Sequence, residues 1–189
     1  MGERGFDQPV LAAQQVFRAL LRAMAEPGRV EALTPCCTPP AGVDPSAAAI
    51  LLALVDADTP LWLDPALAHA ADFFRFHTGA PIVAAPEAAS FLLARARNRP
   101  AVSLLAAGSA DYPDRSATLI LAVDGFGDGP WRLSGPGVAT KRGFGVAGID
   151  ANFSGEWREN HARFPLGIDV FFAARDRIAG LPRSTVLEG

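Results

Sequence analysis

The segment that most constrains the fold begins at Asp44 and ends at Asp56, because its residues are apolar nearly all the way round a helix. Asp44-Pro45 is a typical helix start: the aspartate caps the first turn, and proline has no N–H to leave unpaired there. A helix that is apolar on every side is stable only when other elements surround it. The sequence therefore predicts a buried helix.

An N-terminal helix is predicted between Asp7, as its cap, and the Pro27-Gly28 pair that stops it. Gln14, Arg18 and Arg22 lie on one side and indicate a surface helix. The apolar residues predicted to share the opposite face are Val10, Ala13, Phe17, Leu20, Leu21 and Met24.

Three more helices follow from the same signals. A second Asp-Pro pair, Asp64-Pro65, predicts a helix that reaches about Phe76 and ends near Gly79. A helix is also predicted from Pro86 to about Arg97, and a short one at 156–163. In the helix that begins at Pro86, the inward residues would be Phe91, Leu92 and Ala96.

Extended segments alternate with these helices, and this order favours an α/β fold with helices packed on a central mixed sheet. The strongest strand is 117–123, followed by a loop at 125–129 and an antiparallel return at 131–133. We expect one domain over residues 1–189. The other predicted strands are 29–33, 60–63, 81–84, 102–106 and 168–173, and 135–148 is a glycine-rich stretch.

Charge and hydropathy exclude two classes of partner. The chain has 17 basic and 20 acidic residues and no basic block, so we expect no nucleic-acid partner. The longest apolar run, 47–55, is too short to span a membrane, and the N-terminal residues do not resemble a signal peptide. The sequence therefore predicts a cytoplasmic protein without a membrane partner.

The sequence gives little support for a bound cofactor or metal ion. Residues 143–148 match G-x-G-x-x-G, but no apolar strand precedes them and no helix follows, which favours a turn-forming loop over a nucleotide site. Lys141 is the only lysine and lies beside Arg142 in glycine-rich surroundings, where a pyridoxal phosphate Schiff base is not expected. Adjacent Cys36 and Cys37 indicate two reduced thiols.

The polar loop 111–118 precedes the strongest strand and is the best candidate site. Asp111, Asp114 and Arg115 either form pairs that stabilise the loop or contact a ligand or partner, while Ser116 and Thr118 share one strand face.

His77, at a predicted helix C-terminus, either caps the last carbonyls or serves as an acid–base group. No catalytic constellation with the spacing of a common enzyme motif occurs.

Several segments, in order along the chain, resemble the PhnH family, the H subunit of the bacterial carbon-phosphorus lyase system. They cover nearly the whole chain. The matching segments are Gly5-Phe6, Pro9-Val10, Gln15, Phe17-Arg18, Met24-Ala25, Pro27-Gly28, Asp58–Leu63, Phe76–Gly79, Tyr112–Thr118, Gly135–Gly137, Trp157, Asn160, Phe164–Asp169 and Leu181–Thr185.

The resemblance implies a fold similar to the large domain of pyridoxal-phosphate transferases, without the cofactor. It also implies a subunit that works with the G, I and L subunits when a phosphonate replaces the adenine of ATP, before the J subunit cleaves the carbon-phosphorus bond. We expect it to contact the I subunit directly, to form a homodimer when isolated, and not to catalyse alone. The family offers no catalytic residues to carry over.

An alternative is that this subunit lends phosphate-binding groups to a shared active site. Arginine side chains and small hydroxyls suit phosphate oxygens. The candidates are His77, Asp114, Arg115, Ser116 and Arg183.

Overall fold

The computed structural model describes residues 2–34 and 36–189. Its helices and strands, in chain order, are α1 (Pro9–Ala25), β1 (Glu31–Ala32), α2 (Pro45–Leu54), β2 (Leu61–Leu63), α3 (Ala71–Thr78), β3 (Phe91–Arg95), β4 (Thr118–Ala122), β5 (Gly125–Gly135), β6 (Val138–Ala147), α4 (Phe153–Ala162), β7 (Asp169–Ala174), β8 (Arg177–Leu181) and β9 (Val186–Glu188). Short 3₁₀ turns occupy Pro65–Ala70, Pro86–Ala88, Ala96–Asn98, Val102–Leu104 and Pro113–Arg115.

The strands form two sheets. The larger one is mixed and has the order β1-β8-β7-β4-β3-β2, in which β2, β3, β4 and β7 are parallel while β1 and β8 run antiparallel to their neighbours. The smaller sheet, β6-β5-β9, is antiparallel. The predicted α/β class and central mixed sheet are confirmed, whereas the second sheet was not predicted.

Alternate residues of the central strands enter two different cores. In β4, Ile120 packs into the core that α1, α2 and α3 cover. Its neighbours Leu119 and Leu121 enter the other core, which contains Trp131 of the small sheet and Trp157 of α4. Because side chains of a strand point alternately to the two faces, an apolar strand of this kind is buried on both sides.

The helices that begin at Asp-Pro pairs are confirmed. Asp44 Oδ1 accepts hydrogen bonds from the N–H groups of Ser46 (2.9 Å) and Ala47 (3.1 Å), and α2 is largely buried as its composition predicts. The second Asp-Pro pair opens a 3₁₀ turn that passes directly into α3. This helix ends at Gly79, whose φ of 76° is the left-handed conformation that glycine adopts most readily.

The N-terminal helix has the predicted extent, and Leu20 is buried as predicted, but the cap and most of the buried face were predicted wrongly. The residue before the first turn is Gln8, and it makes no side-chain cap. Large apolar residues of the predicted inner face are exposed: Val10 by 82%, Phe17 by 47% and Leu21 by 55%. The buried face consists mainly of small residues, Ala12, Val16, Ala19, Leu20 and Ala23.

A close backbone approach explains why the small residues face inward. A Cβ placed on Gly180 of β8 would lie 2.6 Å from the carbonyl oxygen of Ala23. At this separation α1 packs on the sheet through the face that carries its alanines, and Val10, Phe17 and Leu21 are turned outward.

Pairing between distant strands overrides several local predictions. The predicted helix from Pro86 to Arg97 is wrong, because Phe91–Arg95 forms β3 and pairs in parallel with β2 and β4. The predicted strand 102–106 is wrong as well, since Val102–Leu104 is a 3₁₀ turn. Segment 81–84 contributes only a bridge between Leu61 and Ile82.

The glycine-rich region was also predicted wrongly. Residues 125–129 and 131–133 are both part of β5, which pairs with β6 and β9 rather than with β4. Residues 143–147 of the G-x-G-x-x-G segment belong to β6 and not to a loop. The flanking cations have partners: Lys141 pairs with Glu188, and Arg142 donates to the carbonyl of Pro27.

Cys36 and Cys37 are free thiols, as predicted. Burial, with smaller contributions from Cys36 and Asp44, raises the pKa of the Cys37 thiol to about 12. None of the helices in the described part of the chain combines the length and the apolar character that crossing a bilayer requires.

A buried ion pair attaches α4 to the chain that follows β3. The side chain of Arg99 is 4% exposed and donates to both carboxylate oxygens of Glu156 at 2.9 Å. It also pairs with Asp150, and Glu156 accepts the N–H of Val102 at 2.7 Å. Burial alone would raise the pKa of the Glu156 carboxyl, but the hydrogen bonds from Arg99 and Val102 and the charge of Arg99 outweigh it and lower that pKa.

This lowered pKa predicts a contribution to acid sensitivity. Because folded Glu156 binds protons more weakly than the unfolded residue, its stabilising contribution is complete above the ordinary glutamate pKa of 4.5 and is lost as pH falls through the lowered value. Glu156→Gln should reduce the free energy of unfolding by about 2 kcal/mol at neutral pH, with a smaller difference in acid.

Urea unfolding of both proteins between about pH 7 and about pH 3 measures this difference. Glu159→Gln, at an exposed position of the same helix, is the matched control and should follow the wild type. A difference for Glu156→Gln that does not change with pH would contradict the assignment.

Candidate functional site

The polar loop lies at the amino ends of two neighbouring parallel strands. Residues 111–116 lead into β4, and Thr118 at its start pairs in register with Asp169 at the start of β7. The parallel arrangement therefore places an aspartate from the C-terminal part of the chain beside the loop.

Arg183 connects these segments through most of its hydrogen-bond donors. The group formed by Arg183, Asp169, Ser116 and the Pro113 carbonyl is called the Arg183 clamp below. Both the backbone N–H (2.8 Å) and Nε (3.1 Å) of Arg183 donate to Asp169 Oδ1, and Nη2 reaches Asp169 Oδ2. Nη1 donates to the carbonyl of Pro113 at 2.8 Å, and Nη2 also donates to Ser116 Oγ. The Arg183 side chain is 14% exposed.

The remaining loop residues lie outside the clamp. Asp111, Asp114 and Arg115 are exposed, and Arg115 places its guanidinium carbon 4.1 Å from the centre of the Tyr112 ring. A cation above an aromatic face is attracted by the ring electrons and needs no carboxylate partner. Arg115 is thus held in place while its N–H donors stay accessible.

His77 belongs to a different part of the surface. Its ring packs edge-on against Phe73 and Phe76 of α3, and a Cβ on Gly5 would lie 2.7 Å from His77 Nδ1. With Phe6 it lines an open cavity of about 650 Å³. The structure therefore joins Ser116 to Arg183, but it does not bring His77 to them.

Asp169 is the site residue that sequence reasoning missed. It precedes the apolar run of β7, and a charged residue at the start of a buried strand is a signal that could have identified it. Only the register of β4 against β7 shows that this position lies beside the loop.

Two further polar residues of the segments that resemble PhnH fix the backbone around α4. The amide of buried Asn160 accepts the N–H of Ile168 at 2.9 Å and donates to its carbonyl at 3.0 Å. The indole N–H of buried Trp157 donates to the carbonyl of Thr185 at 2.9 Å. These side chains hold the segments on either side of β7 and β8 in place.

The clamp is suited to holding segments together rather than to chemistry on a ligand. Its guanidinium is already neutralised by Asp169, and its hydroxyl and carbonyl acceptors already receive donors. Within residues 2–34 and 36–189, no three His, Cys, Asp or Glu side chains are grouped as a metal site requires.

Fold and site together define the class of this protein: an α/β protein whose central mixed sheet carries a polar clamp at the amino ends of its parallel strands. Comparison with known proteins gives the family. A family model described as "Bacterial phosphonate metabolism protein (PhnH)" matches residues 4–188, so the chain belongs to the PhnH family.

Two curated relatives agree with this assignment. The chain is 38% identical over 188 residues to alpha-D-ribose 1-methylphosphonate 5-triphosphate synthase subunit PhnH of Rhizobium meliloti (strain 1021), a match over 97% of this chain and 94% of the relative. It is 36% identical over 173 residues to HtxG of Stutzerimonas stutzeri, named as a candidate C-P lyase subunit protein, over 91% of this chain and 84% of that protein. The family resemblance found in the sequence is confirmed.

Removing the guanidinium of the clamp should destabilise the fold. Arg183→Met leaves the largely buried Asp169 carboxylate without its charged partner, and we expect a loss of roughly 1–3 kcal/mol in the free energy of unfolding. The double variant Arg183→Met/Asp169→Asn should recover part of this loss, because it also removes the unpaired charge.

Chemical denaturation of the isolated protein measures both values. Arg158→Met, at an exposed position of α4, is the control and should stay within about 0.5 kcal/mol of the wild type. Equal stabilities for Arg183→Met and Arg158→Met would show that the clamp does not stabilise the fold.

Proposed function

We propose that this chain is a subunit of the carbon-phosphorus lyase system and has a partner-binding or structural role in it. It serves the synthase step in which a phosphonate is coupled to the ribose of ATP and adenine is released. The observation that carries the proposal is a family match over almost the whole chain, together with relatives named as subunits. The internally paired Arg183 clamp supports the role, since it joins segments of this chain to one another.

The outer face of α1 is the surface that we assign to the partner. Successive residues of an α-helix are about 100° apart around its axis. At this spacing the side chains of Val10, Phe17 and Leu21 fall on one narrow stripe of α1, which we call the α1 stripe. All three are exposed, although large apolar residues usually gain free energy from burial. A stripe of this kind on an otherwise well-packed domain is typical of a protein–protein interface.

The partners in this proposal are the G, I, J and L subunits, with the I subunit in direct contact through the α1 stripe. The isolated chain forms a homodimer, and the protein is cytoplasmic. Its likeness to the large domain of pyridoxal-phosphate transferases is part of the same proposal and rests on the family resemblance.

The α1 stripe can be tested without disturbing the core. Phe17→Glu/Leu21→Glu places charges on exposed positions and should abolish retention of the I subunit on the tagged chain, because the apolar contact would have to bury carboxylates. The measurement is copurification after coexpression with the G, I and J subunits.

Gln15→Glu is the matched control, since this exposed α1 residue lies outside the stripe, and it should retain the I subunit as the wild type does. Thermal unfolding of each variant verifies that the fold is intact. Undiminished retention by the double variant would exclude the α1 stripe, and a wild-type chain that retains no subunit would refute the proposed role.

A second candidate function is supported by the exposed guanidinium of Arg115. Its position above Tyr112 leaves N–H donors accessible, which suits phosphate oxygens of a substrate in a shared active site. Asp111 and Asp114 would border such a site, and His77 would have no part in it unless a partner brings the two regions together. Arg183 is less suited because its donors are largely occupied.

Arg115→Ala separates the two candidates. If Arg115 contacts substrate, the assembled complex should lose about tenfold or more in synthase activity while its composition is unchanged. The assay follows adenine release from ATP by the purified complex, with Arg158→Ala as the control. Normal turnover of the Arg115→Ala complex would exclude this second candidate and leave the partner-binding or structural role.

A further inference from the structure

A cavity of about 280 Å³ opens at the carboxyl ends of β3 and β4, at the opposite end of β4 from the Arg183 clamp. In open α/β sheets, the carboxyl ends of parallel strands are where ligands are usually bound. The cavity is bordered by the end of β3, the end of β4, the loop that precedes α2 and the residue after β6. Its polar side chains are Asp44, Arg95, Arg97 and Asp124.

The two arginines of the cavity make no ion pair within residues 2–34 and 36–189. Among the described residues, neither the half-buried guanidinium of Arg95 nor the exposed one of Arg97 has a hydrogen-bond or ion-pair partner. Two residues further on, Arg99 makes bidentate contacts with both Asp150 and Glu156. The same stretch of chain therefore contains one fully paired guanidinium and two unpaired ones.

One of the two carboxylates that line the cavity is already in use. Asp44 Oδ1 caps α2, and Asp44 Oδ2 accepts the backbone N–H of Arg175 at 2.6 Å. Gly42 makes room for Arg95: a Cβ there would lie 3.2 Å from a guanidinium nitrogen, and the φ of 84° favours glycine. Arg95 thus lies at the cavity without a counterion among the described residues.

Asp124 provides a hydrogen-bond acceptor in the same cavity. Its carboxylate packs against Gly148, where a Cβ would lie 2.6 Å from Oδ2, and it pairs with no cation or donor in the described part of the chain. Two free guanidinium groups can share the oxygens of one tetrahedral anion, while a free carboxylate accepts a hydrogen bond from a hydroxyl. An anion without a hydroxyl would meet only repulsion from Asp124, whereas a hydroxyl beside the anion can offset this by donating a hydrogen bond to the carboxylate.

We propose that this cavity binds a small phosphate-type oxyanion, a phosphate ester or a phosphonate, that carries a neighbouring hydroxyl group. Arg95 and Arg97 hold the anion, and Asp124 accepts the hydroxyl. The volume admits a compact polar molecule rather than a whole nucleotide. The site itself is argued from the cavity alone, whereas the choice of a phosphonate among its ligands rests on the proposed function.

Calorimetric titration of the full chain with ribose 5-phosphate, methylphosphonate and inorganic phosphate tests the site. Ribose 5-phosphate should bind more tightly than inorganic phosphate, and methylphosphonate separates phosphonate from phosphate recognition. Arg97→Ala, at an exposed position that leaves the core intact, should weaken all three by about tenfold, and Arg95→Met/Arg97→Ala should weaken them further.

Asp124→Asn should remove the preference for ribose 5-phosphate and leave the affinity for inorganic phosphate equal or higher. Arg158→Ala is the charge-matched control and should bind as the wild type does, and circular dichroism verifies the fold of each variant. Absence of heat with all three probes at about 10 mM, equal affinities of wild type and Arg97→Ala, or an equal loss in Arg158→Ala would overturn the proposal.

Discussion

Both faces of the parallel strands β2, β3, β4 and β7 have to be covered, and the rest of the architecture follows from this requirement. Their side chains are apolar in both directions, so neither face can meet water without a large loss of hydrophobic free energy. Three helices cover one face, and the small antiparallel sheet with α4 covers the other. The result is a three-layered core around β4.

The layers are joined by specific contacts between segments far apart in sequence. Arg183 connects the loop before β4 to the start of β7, and Trp157 of α4 holds the segment before β9. The turn between β5 and β6 meets the end of α1 so closely that a Cβ on Gly137 would lie 2.0 Å from the carbonyl oxygen of Ala25. These residues all lie in segments that resemble the PhnH family, which indicates that much of the signature preserves tertiary contacts.

The two ends of β4 differ in electrostatic character. At the amino end, the charges of Arg183 and Asp169 cancel and the hydrogen-bonding groups are paired. At the carboxyl end, Arg95, Arg97 and Asp124 face a cavity without partners among the described residues. A ligand can therefore supply hydrogen-bond and ion-pair partners at the carboxyl end, whereas at the amino end these groups are already paired with one another.

The sequence by itself determined the features that depend on a few neighbouring residues. The Asp44-Pro45 start of α2, the Gly79 end of α3 and the apolar strand 117–123 could be predicted because caps, turns and apolar runs act within one or two turns of chain. The loop before β4 could be chosen as a candidate site, and the resemblance gave the family. That Asp169 lies beside this loop could not be predicted, since adjacency across a sheet depends on register.

Only the tertiary structure decided the features that depend on distant parts of the chain. Phe91–Arg95 is a strand because β2 and β4 lie on either side of it, and α1 turns its alanines inward because Gly180 lets the backbones approach. The meeting of Arg95, Arg97 and Asp124 likewise results from the parallel pairing of β3 with β4. Local pattern sets what a segment can form, but packing selects among those forms, because the free energy of burial depends on which neighbours are present.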